Sequence, residues 1–329
     1  MCPHTSQRQT QIESARDETI VITGAFSYTG KYAAGILLDR GCRIRTLTNR
    51  PERENPFGDR VVTFPYYFDC PERLTEALRG ASTLINTYWV RFPRGSSTFE
   101  AAVQNTCTLI AAAKKGGIKR IVHVSIANPW LESPLGYYKG KARLEQVVME
   151  SGLAYTILRP TVIFGLEDIL INNIAWFVRH FPVFGIPGDG RYRIRPIYVE
   201  DMARLIADAV AQEGNAVLDA VGPETFTFEE LVNLIAGQLR RRIRSVRVPA
   251  AAAYLATRVA GWFVHDVVLT WEEYQGLMAG LLAPQGSSTG ETRLSTWLAA
   301  NREHLGARYA SEVARHYALT PPPSFFRKC

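Results

Sequence analysis

The first half of the chain alternates short apolar runs with longer amphipathic stretches. Residues 19–22 are all β-branched, which is typical of a strand buried on both faces. Apolar residues over 32–37 then recur at helical spacing, Gly41 is placed to end that helix, and a second strand is predicted over 43–48. A strand, a glycine-containing turn, a helix and a strand within about 30 residues form a βαβ unit.

The same alternation continues for about another hundred residues. It predicts strands over 61–64, 83–86, 120–124 and 154–158, and helices over 71–78, 99–114 and 138–150. Alternating elements of this kind predict an α/β fold in which a doubly wound parallel sheet of Rossmann type has helices on both faces.

After Gly165 the alternation breaks. Residues 166–194 are aromatic and punctuated by proline and glycine, whereas residues 194–199, a helix over 200–211 and a strand over 216–221 indicate a return to the sheet. From residue 225 the chain is mostly helical, with a last helical pattern over 293–318. We therefore predict a Rossmann domain over 18–165 plus 195–222, a smaller, mainly helical cap portion over 166–194 plus 223–320, and flexible termini at 1–17 and 321–329.

Composition and charge exclude several classes of protein. The 329 residues are 47% apolar and 21% charged, which does not fit disorder or a fibrous repeat. The formal net charge is +7, and five arginines of the stretch Arg240–Arg247 account for most of it, since the remainder carries +2. An exposed edge strand blunted by arginine explains this stretch, and an anionic partner is the alternative. No basic face with interleaved aromatic residues is present, so no nucleic-acid partner is predicted.

Metal centres and membrane insertion are not expected either. The five cysteines contain no pair at the spacing of a metal or redox motif. Residues 1–17 lack the apolar core of a secretory signal, and the most apolar long run, 249–269, is interrupted by Arg258, His265 and Asp266. We predict a cytoplasmic protein in which residues 249–269 form a helix packed in the fold, or alternatively an amphipathic helix that touches a membrane.

The turn after the first strand has the chemistry of an anion site. It reads Thr-Gly-Ala-Phe-Ser-Tyr-Thr-Gly, in which Gly24 allows a tight turn and Gly30 allows close packing of helix on strand. Ser27 replaces the middle glycine of the usual dinucleotide fingerprint. Free backbone N–H groups and the helix dipole would both favour a pyrophosphate here.

The end of the second strand predicts which nucleotide is preferred. Enzymes that bind an unphosphorylated ribose normally place Asp or Glu at this position, whereas this chain has Asn49 and Arg50, with Arg53 nearby. A guanidinium pairs with a 2′-phosphate that a carboxylate would repel. NADP(H) is therefore expected over NAD(H), unless Arg50 is a solvated residue after a strand.

The second half of the predicted sheet carries a serine, a tyrosine and a lysine. Ser125 follows the fifth strand, and Tyr137 and Lys141 lie four residues apart near the start of the next helix, about 6 Å apart along its axis. A lysine ammonium stabilises a tyrosinate and lowers the phenol pKa, while a serine hydroxyl can hold a substrate oxygen. Chance spacing and a turn-capping serine are the alternatives.

With these motifs the chain resembles the extended or atypical branch of the short-chain dehydrogenase/reductase superfamily. Within it, the chain is similar to the NAD(P)-binding, epimerase/dehydratase-like and NmrA-like proteins related to the 39 kDa accessory subunit of respiratory complex I. The resemblance covers roughly residues 19–222. It rests on segments 23–30, 68–69, 121–125, 137–141, 158–165 and 195–203 in this order and spacing.

The resemblance implies a role for each matching residue. Tyr137 would be the acid/base, Lys141 would bind the nicotinamide ribose and tune the tyrosine, Ser125 would polarise the substrate, and Asn105 would belong to a proton relay. Positions expected to contact the cofactor, besides Lys141, are Gly24, Ser27, Tyr28, Thr29, Gly30, Arg50, Asp69, Asn86, Pro160 and Val162. Among them Asp69 would meet the adenine, and Pro160 and Val162 would support the nicotinamide.

The implied function is an NADP(H)-dependent oxidoreductase, acting on a carbonyl or alcohol of a small and possibly apolar substrate, as a monomer or homodimer. Two departures disfavour a sugar-nucleotide substrate: the fourth strand continues as Asn-Thr-Tyr-Trp at 86–89, and the gap from Ser125 to Tyr137 is short. The alternatives are an NAD-dependent epimerase or dehydratase, and a non-catalytic NADPH-binding regulator or assembly protein.

Overall fold

The computed structural model describes residues 18–52 and 54–317. The predicted flexible termini, 1–17 and 321–329, lie outside the described residues, and so does Arg53. The strands are β1 (Thr19–Thr23), β2 (Arg43–Thr48), β3 (Val61–Pro65), β4 (Thr83–Asn86), β5 (Arg120–Val124), β6 (Ala154–Pro160), β7 (Ile163–Phe164), β8 (Val183–Pro187), β9 (Arg193–Ile194), β10 (Ile197–Tyr198), β11 (Ala216–Ala220), β12 (Phe226–Thr227) and β13 (Arg244–Val248). The helices are α1 (Tyr28–Asp39), α2 (Pro71–Leu78), α3 (Phe99–Lys115), α4 (Gly136–Glu150), α5 (Leu170–His180), α6 (Val199–Val210), α7 (Phe228–Gln238), α8 (Ala250–Val264), α9 (Trp271–Met278), α10 (Leu294–Asn301) and α11 (Glu312–Tyr317).

Seven parallel strands form the main sheet, in the order β11-β6-β5-β4-β1-β2-β3. The order reverses between β1 and β4, as in doubly wound Rossmann folds, and the prediction of this fold class is confirmed. The chain forms two compact units. The first contains the described residues up to Pro160 and Val199–Ala220, so it holds the whole of this sheet.

Helices cover both faces of the sheet because its strands are apolar on both sides. Val21 belongs to a core formed with α2, α3 and α4, which supply Leu74 and Leu109 among others. The neighbouring residues Ile20 and Ile22 are equally buried and point to the opposite face, as alternation along a strand requires. On that face α1 packs against α6.

The second unit contains Thr161–Tyr198 and the chain from Val221 onward. Its core is formed by α5, α7 and α10 around Phe164, Phe228 and Trp297. Three two-stranded sheets belong to it, β10-β7, β12-β9 and β13-β8. The predicted division of the chain had given residues 161–165 and 195–198 to the sheet domain. In the structure β7 and β10 instead pair with each other, Ile163 with Ile197, and lie in the second unit.

Two predictions about the second half of the chain can be compared with the structure. The helical pattern over 293–318 is interrupted, because Gly306 has a left-handed φ of +62° and a Cβ there would lie 2.4 Å from the Trp176 nitrogen. The arginine-rich stretch does contain a strand, β13, in which Arg244 and Arg247 are exposed.

Among the described residues, no helix has both the length and the apolarity to cross a membrane.

Candidate functional site

The glycine turn between β1 and α1 is tightly constrained. Gly24 has a φ of +70°, and a Cβ at Gly30 would lie 2.2 Å from the Gly24 carbonyl oxygen. The first turn of α1 therefore lies directly on the end of β1, and only glycine fits at position 30. The Ser27 hydroxyl lies between the two glycines, 3.2 Å and 3.0 Å from the positions that their Cβ atoms would take.

Threonines of the neighbouring strands fix this turn in place. The Ala25 N–H donates to the Thr46 hydroxyl at 2.9 Å, and the Gly24 N–H donates to the Leu47 carbonyl at 2.8 Å. The Thr23 hydroxyl accepts from the N–H groups of Thr87 and Tyr88, at 2.7 Å and 3.0 Å. No local signal in the sequence indicates these roles of Thr23 and Thr46, because their partners lie 21 to 65 residues away along the chain.

The N-terminus of α1 has the features of an anion site. Ser27 is the N-cap residue, it is extended, and its side chain makes no capping hydrogen bond. The next residues, Tyr28, Thr29 and Gly30, form the first turn, whose N–H groups have no acceptor within a helix. These are the atoms and the dipole end that bind phosphate in glycine-turn nucleotide sites.

Arg50 and Asp69 follow the strands next to the glycine turn. Arg50 comes two residues after β2 ends, is half-buried, and its N–H donates to the Thr48 hydroxyl at 3.1 Å. Asp69 is exposed and lies between β3 and α2. Because β1, β2 and β3 run parallel, their carboxyl ends share one edge of the sheet with the glycine turn.

Ser125 and Lys141 meet at the end of β5. Lys141 is 3% exposed, and its ammonium donates to the carbonyl of Val124, the residue before Ser125, at 2.8 Å. Ser125 is 4% exposed, and its hydroxyl has no hydrogen-bond partner among the described residues. Burying a hydroxyl without a hydrogen-bond partner costs free energy. A ligand oxygen at this place would accept a hydrogen bond from the Ser125 hydroxyl and remove that cost.

Burial changes the pKa of Lys141. It lowers the pKa of Lys141 to about 7, and the negative charge of Glu145, one turn further along α4, opposes part of the shift. Glu145 is itself bound by Arg159, whose guanidinium donates to both carboxylate oxygens. Burial, together with the charge of Lys141, also holds the pKa of His123 well below its ordinary value.

Tyr137 lies one turn before Lys141 and packs among aromatic rings. Its ring is half-buried and meets Trp89 and Phe99 edge-on, with centroids 5.6 Å and 5.9 Å away. The Lys141 ammonium lies 4.9 Å from the centre of the Trp89 ring. Trp89 therefore contacts both members of the predicted Tyr–Lys pair.

Gly140 makes the approach of Trp89 possible. A Cβ at position 140 would lie 2.6 Å from the outer edge of the indole. Trp89 ends the Asn-Thr-Tyr-Trp run at 86–89, and its partner on α4 lies 51 residues further along. Nothing local in the sequence indicates that contact.

The two predicted asparagines are held by protein partners. Asn86 is buried at the end of β4, where its amide oxygen accepts from the Tyr88 N–H at 3.1 Å and its amide nitrogen lies 3.1 Å from Nδ1 of His123. Asn105, on α3, donates to the Tyr88 hydroxyl at 2.9 Å. Both side chains thus brace the loop after β4, and their predicted contacts with cofactor and proton relay stay predictions.

The end of β6 contains the remaining predicted positions. Pro160 closes this strand in the first unit, and its carbonyl accepts from the Ala127 N–H at 2.9 Å. Val162 belongs to the second unit, where its carbonyl accepts from the Ile197 N–H. The structure thus brings Ser125, Tyr137 and Lys141 to β5 and α4, and gathers the glycine turn and Arg50 at β1 and β2.

Residues 24–168 match the model of a family described as NAD(P)H-binding. This part of the chain is therefore similar to NAD(P)H-binding domains. Its glycine turn fits a dinucleotide, since the close approach at Gly30 and the uncapped helix start are what such a cofactor needs. The sequence-based resemblance to NAD(P)-binding proteins of the complex I 39 kDa subunit type is confirmed.

Several known proteins are similar to much of the chain. NADH dehydrogenase [ubiquinone] 1 alpha subcomplex subunit 9, mitochondrial, of Arabidopsis thaliana is 26% identical over 257 residues, which are 75% of this chain and 64% of that protein. Photosystem II assembly factor Ycf39 of Cyanophora paradoxa is 24% identical over 75% of this chain and 78% of its own length. The chain spans 62–64% of the length of three complex I relatives.

Solved structures share the fold over most of the chain. The NADPH-dependent quinone oxidoreductase QOR2 of Escherichia coli, complexed with NADPH, superposes with a TM-score of 0.71 at 21% identity, covering 86% of this chain and 99% of that one. At this identity the likeness shows the fold alone. The predicted cytoplasmic location and monomeric or homodimeric state stay predictions.

Proposed function

We propose that the protein is an NADP(H)-dependent oxidoreductase, which transfers hydride to or from a carbonyl or alcohol of a small substrate. The observation that carries the proposal is the buried Ser125 hydroxyl, which has no partner in the described part of the chain and follows the residue whose carbonyl binds the Lys141 ammonium. A substrate oxygen at Ser125 would satisfy that hydroxyl and would lie beside a positive charge. This is the arrangement that stabilises negative charge on an oxygen.

Each residue of the group has a defined task. Ser125 holds the substrate oxygen, Tyr137 donates a proton to it in the reduction or accepts one in the oxidation, and Lys141 favours the tyrosinate by its charge. When bound, the nicotinamide supplies or accepts the hydride. Because the pKa of Lys141 is about 7, its charge and its support of Tyr137 increase as the pH falls through neutrality.

The variant Tyr137→Phe tests catalysis. It removes the proton donor, so turnover of NADPH with a panel of aldehydes, ketones and quinones should fall by about 100-fold or more. Tyr138→Phe is the matched control, because this neighbour is buried on the same helix and should leave turnover unchanged. The proposal fails if Tyr137→Phe keeps wild-type activity, or if the wild type binds NADPH but turns over none of the panel.

The preference for NADP(H) rests on Arg50 just after β2, where Asn49 and Arg50 stand in place of the carboxylate that would bind a 2′-hydroxyl. Arg50→Ala should remove a charge-assisted contact to the 2′-phosphate and weaken NADPH binding by about tenfold while leaving NADH binding unchanged. Arg43→Ala, at the opposite end of β2, is the control. Equal affinities of the wild type for the two nucleotides would contradict the assignment.

A non-catalytic NADPH-binding subunit or assembly protein is the second candidate. It is favoured by the edge-on packing of Trp89 and Phe99 against Tyr137, and by the complex I subunit and the assembly factor among the similar proteins. NADPH would then stabilise the fold without being consumed. A rise in melting temperature with NADPH, with no turnover in the wild type, would favour this candidate over the enzyme.

A further inference from the structure

Helix α8 exposes an apolar face that the rest of the described chain leaves uncovered. Its buried positions, Ala253 and Gly261, lie on one side. On the other side Leu255, Val259, Trp262 and Phe263 are exposed by 65%, 51%, 75% and 69%. Single exposed apolar residues are ordinary, whereas a contiguous group of this size marks a surface that binds a partner.

The spacing of these residues places them on one face. Leu255, Val259, Trp262 and Phe263 follow each other at i, i+4, i+7 and i+8, the pattern of an apolar helical stripe. The exposed residues that widen the stripe are alanines, and Arg258 lies at its edge, beside the groove formed with Tyr254. The stripe carries no acidic residue.

The segment that leads into α8 is strongly basic. Residues 240–265 contain six arginines and no aspartate or glutamate, so this segment has a formal net charge of +6, against +7 for the whole chain. Arg240, Arg241, Arg242 and Arg244 are exposed, and Arg247 pairs with Glu229. The apolar stripe therefore follows directly after a cluster of surface cations.

We propose that α8 and the arginines at 240–244 bind the surface of a lipid bilayer that contains anionic phospholipids. In this arrangement Trp262 and Phe263 enter the boundary between headgroups and acyl chains, while the arginines contact lipid phosphates. The 15 residues of α8 span about 22 Å, less than the roughly 30 Å of a bilayer core, so the helix lies along the surface.

Charge complementarity selects this occupant over a second copy of the chain. In a two-fold dimer through α8, the same surface meets itself, and the two arginine clusters would be brought towards each other. An anionic bilayer instead offers phosphates to the arginines and acyl chains to the stripe. The stripe also lacks hydrogen-bonding side chains apart from the Trp262 indole and Arg258, which suits a lipid phase better than the polar rim of a protein interface.

Vesicle flotation tests the proposal with the full-length protein. The wild type should float with vesicles of phosphatidylcholine containing about 30% phosphatidylglycerol, and should not float with pure phosphatidylcholine. Salt at about 0.5 M should weaken the binding. Trp262→Ser combined with Phe263→Ser should weaken it by at least about tenfold, because the inserted apolar surface is removed.

A control variant and a test of folding separate this surface from general effects. Trp130→Ser with Leu131→Ser removes another exposed aromatic and aliphatic pair, in the first unit, and should leave vesicle binding unchanged. An unchanged circular dichroism spectrum and cooperative unfolding of the Trp262 and Phe263 variant would show that it is folded.

Two triple variants test the role of the arginines. Glutamine at Arg240, Arg241 and Arg242 should weaken binding to anionic vesicles by at least about tenfold. Glutamine at three exposed arginines elsewhere should not weaken it; these are Arg60, Arg302 and Arg308.

Three results would overturn the proposal. The first is a wild type that floats no better with anionic than with neutral vesicles. The second is undiminished binding in the Trp262 and Phe263 variant. The third is a concentration-dependent dimer that this variant abolishes without any vesicle binding by the wild type, which would assign the surface to a second copy.

Discussion

Gly30 and Gly35 lie on the same helix, α1, but differ in their surroundings. A Cβ at position 30 would meet the Gly24 carbonyl at 2.2 Å, whereas a Cβ at position 35 would have no atom within 4 Å. We expect Gly30→Ala to lower the free energy of unfolding by about 1–3 kcal/mol and to weaken NADPH binding, because helix or strand must move. Gly35→Ala should instead raise it by roughly 0.5–1 kcal/mol. Urea denaturation of both variants measures the contrast, and equal effects would contradict the packing at Gly30.

Lys141 makes a pH-dependent contribution to stability at the same residue scale. Its pKa falls from 10.5 to about 7 on folding, so between these pH values the unfolded chain binds a proton that the folded chain has released. Stability must therefore rise with pH in this window, by about 1.4 kcal/mol per unit, relative to Lys141→Met.

Urea denaturation from pH 7.5 to 9.5 without cofactor measures the pH effect. Lys139→Met, on the exposed side of α4, is the control and should track the wild type. Parallel curves for the wild type and Lys141→Met would show that the lysine is not buried as described.

At the scale of elements, α4 packs against the loop after β4, where Gly140 contacts Trp89. Gly140→Ala would place a methyl group 2.6 Å from the indole edge, so we expect a loss of about 1–3 kcal/mol of unfolding free energy. Trp89→Phe shortens the ring, and in that background the same glycine substitution should be nearly neutral. A double-mutant cycle gives the coupling, and additive effects would mean that ring and helix do not meet there.

The elements themselves were largely predictable, because apolar alternation and glycine stops are local signals. Strand β1, the turn at Gly24 and helix α1 follow from such a pattern. The contact of Trp89 with α4 could not be predicted, since it depends on residues 51 positions apart. The break at Gly306 was also missed, because it depends on the backbone of α5 rather than on the residues around it.

The candidate site was predictable to a similar degree. Tyr137 and Lys141 are one helical turn apart, and Ser125 directly follows a strand, so their positions follow from local structure. The hydrogen bond of Lys141 to the Val124 carbonyl, and the use of Asn86 and Asn105 to brace the loop after β4, depend on tertiary packing.

At the scale of the whole molecule, the sheet unit is discontinuous in sequence. Strand β11 and helix α6 complete it only after the chain has passed through Thr161–Tyr198. A fragment that ends at Pro160 would leave β6 unpaired on one side and the α6-facing side of α1 exposed, and we expect it to be unfolded and unable to bind NADPH.

Joining the two segments should restore the fold of this unit. The segment that follows β6 and the segment that precedes α6 lie next to each other, since the Val162 carbonyl accepts a hydrogen bond from the Ile197 N–H at 2.9 Å. A short glycine-serine linker between residues 160 and 199, in a fragment that ends at residue 220, should therefore give cooperative unfolding by circular dichroism. A fragment ending at Pro160 that folds equally well would show that β11 and α6 are dispensable.

The late pairing of β11 with β6 has a consequence during synthesis on the ribosome. Sixty residues separate the end of β6 at Pro160 from the end of β11 at Ala220. At about 5–20 residues per second, translation takes roughly 3–12 s to cross that interval, during which the nascent sheet has an open edge at β6. The growing chain is most open to misassociation in this interval, so chaperone contact with nascent chains should peak before residue 220 emerges.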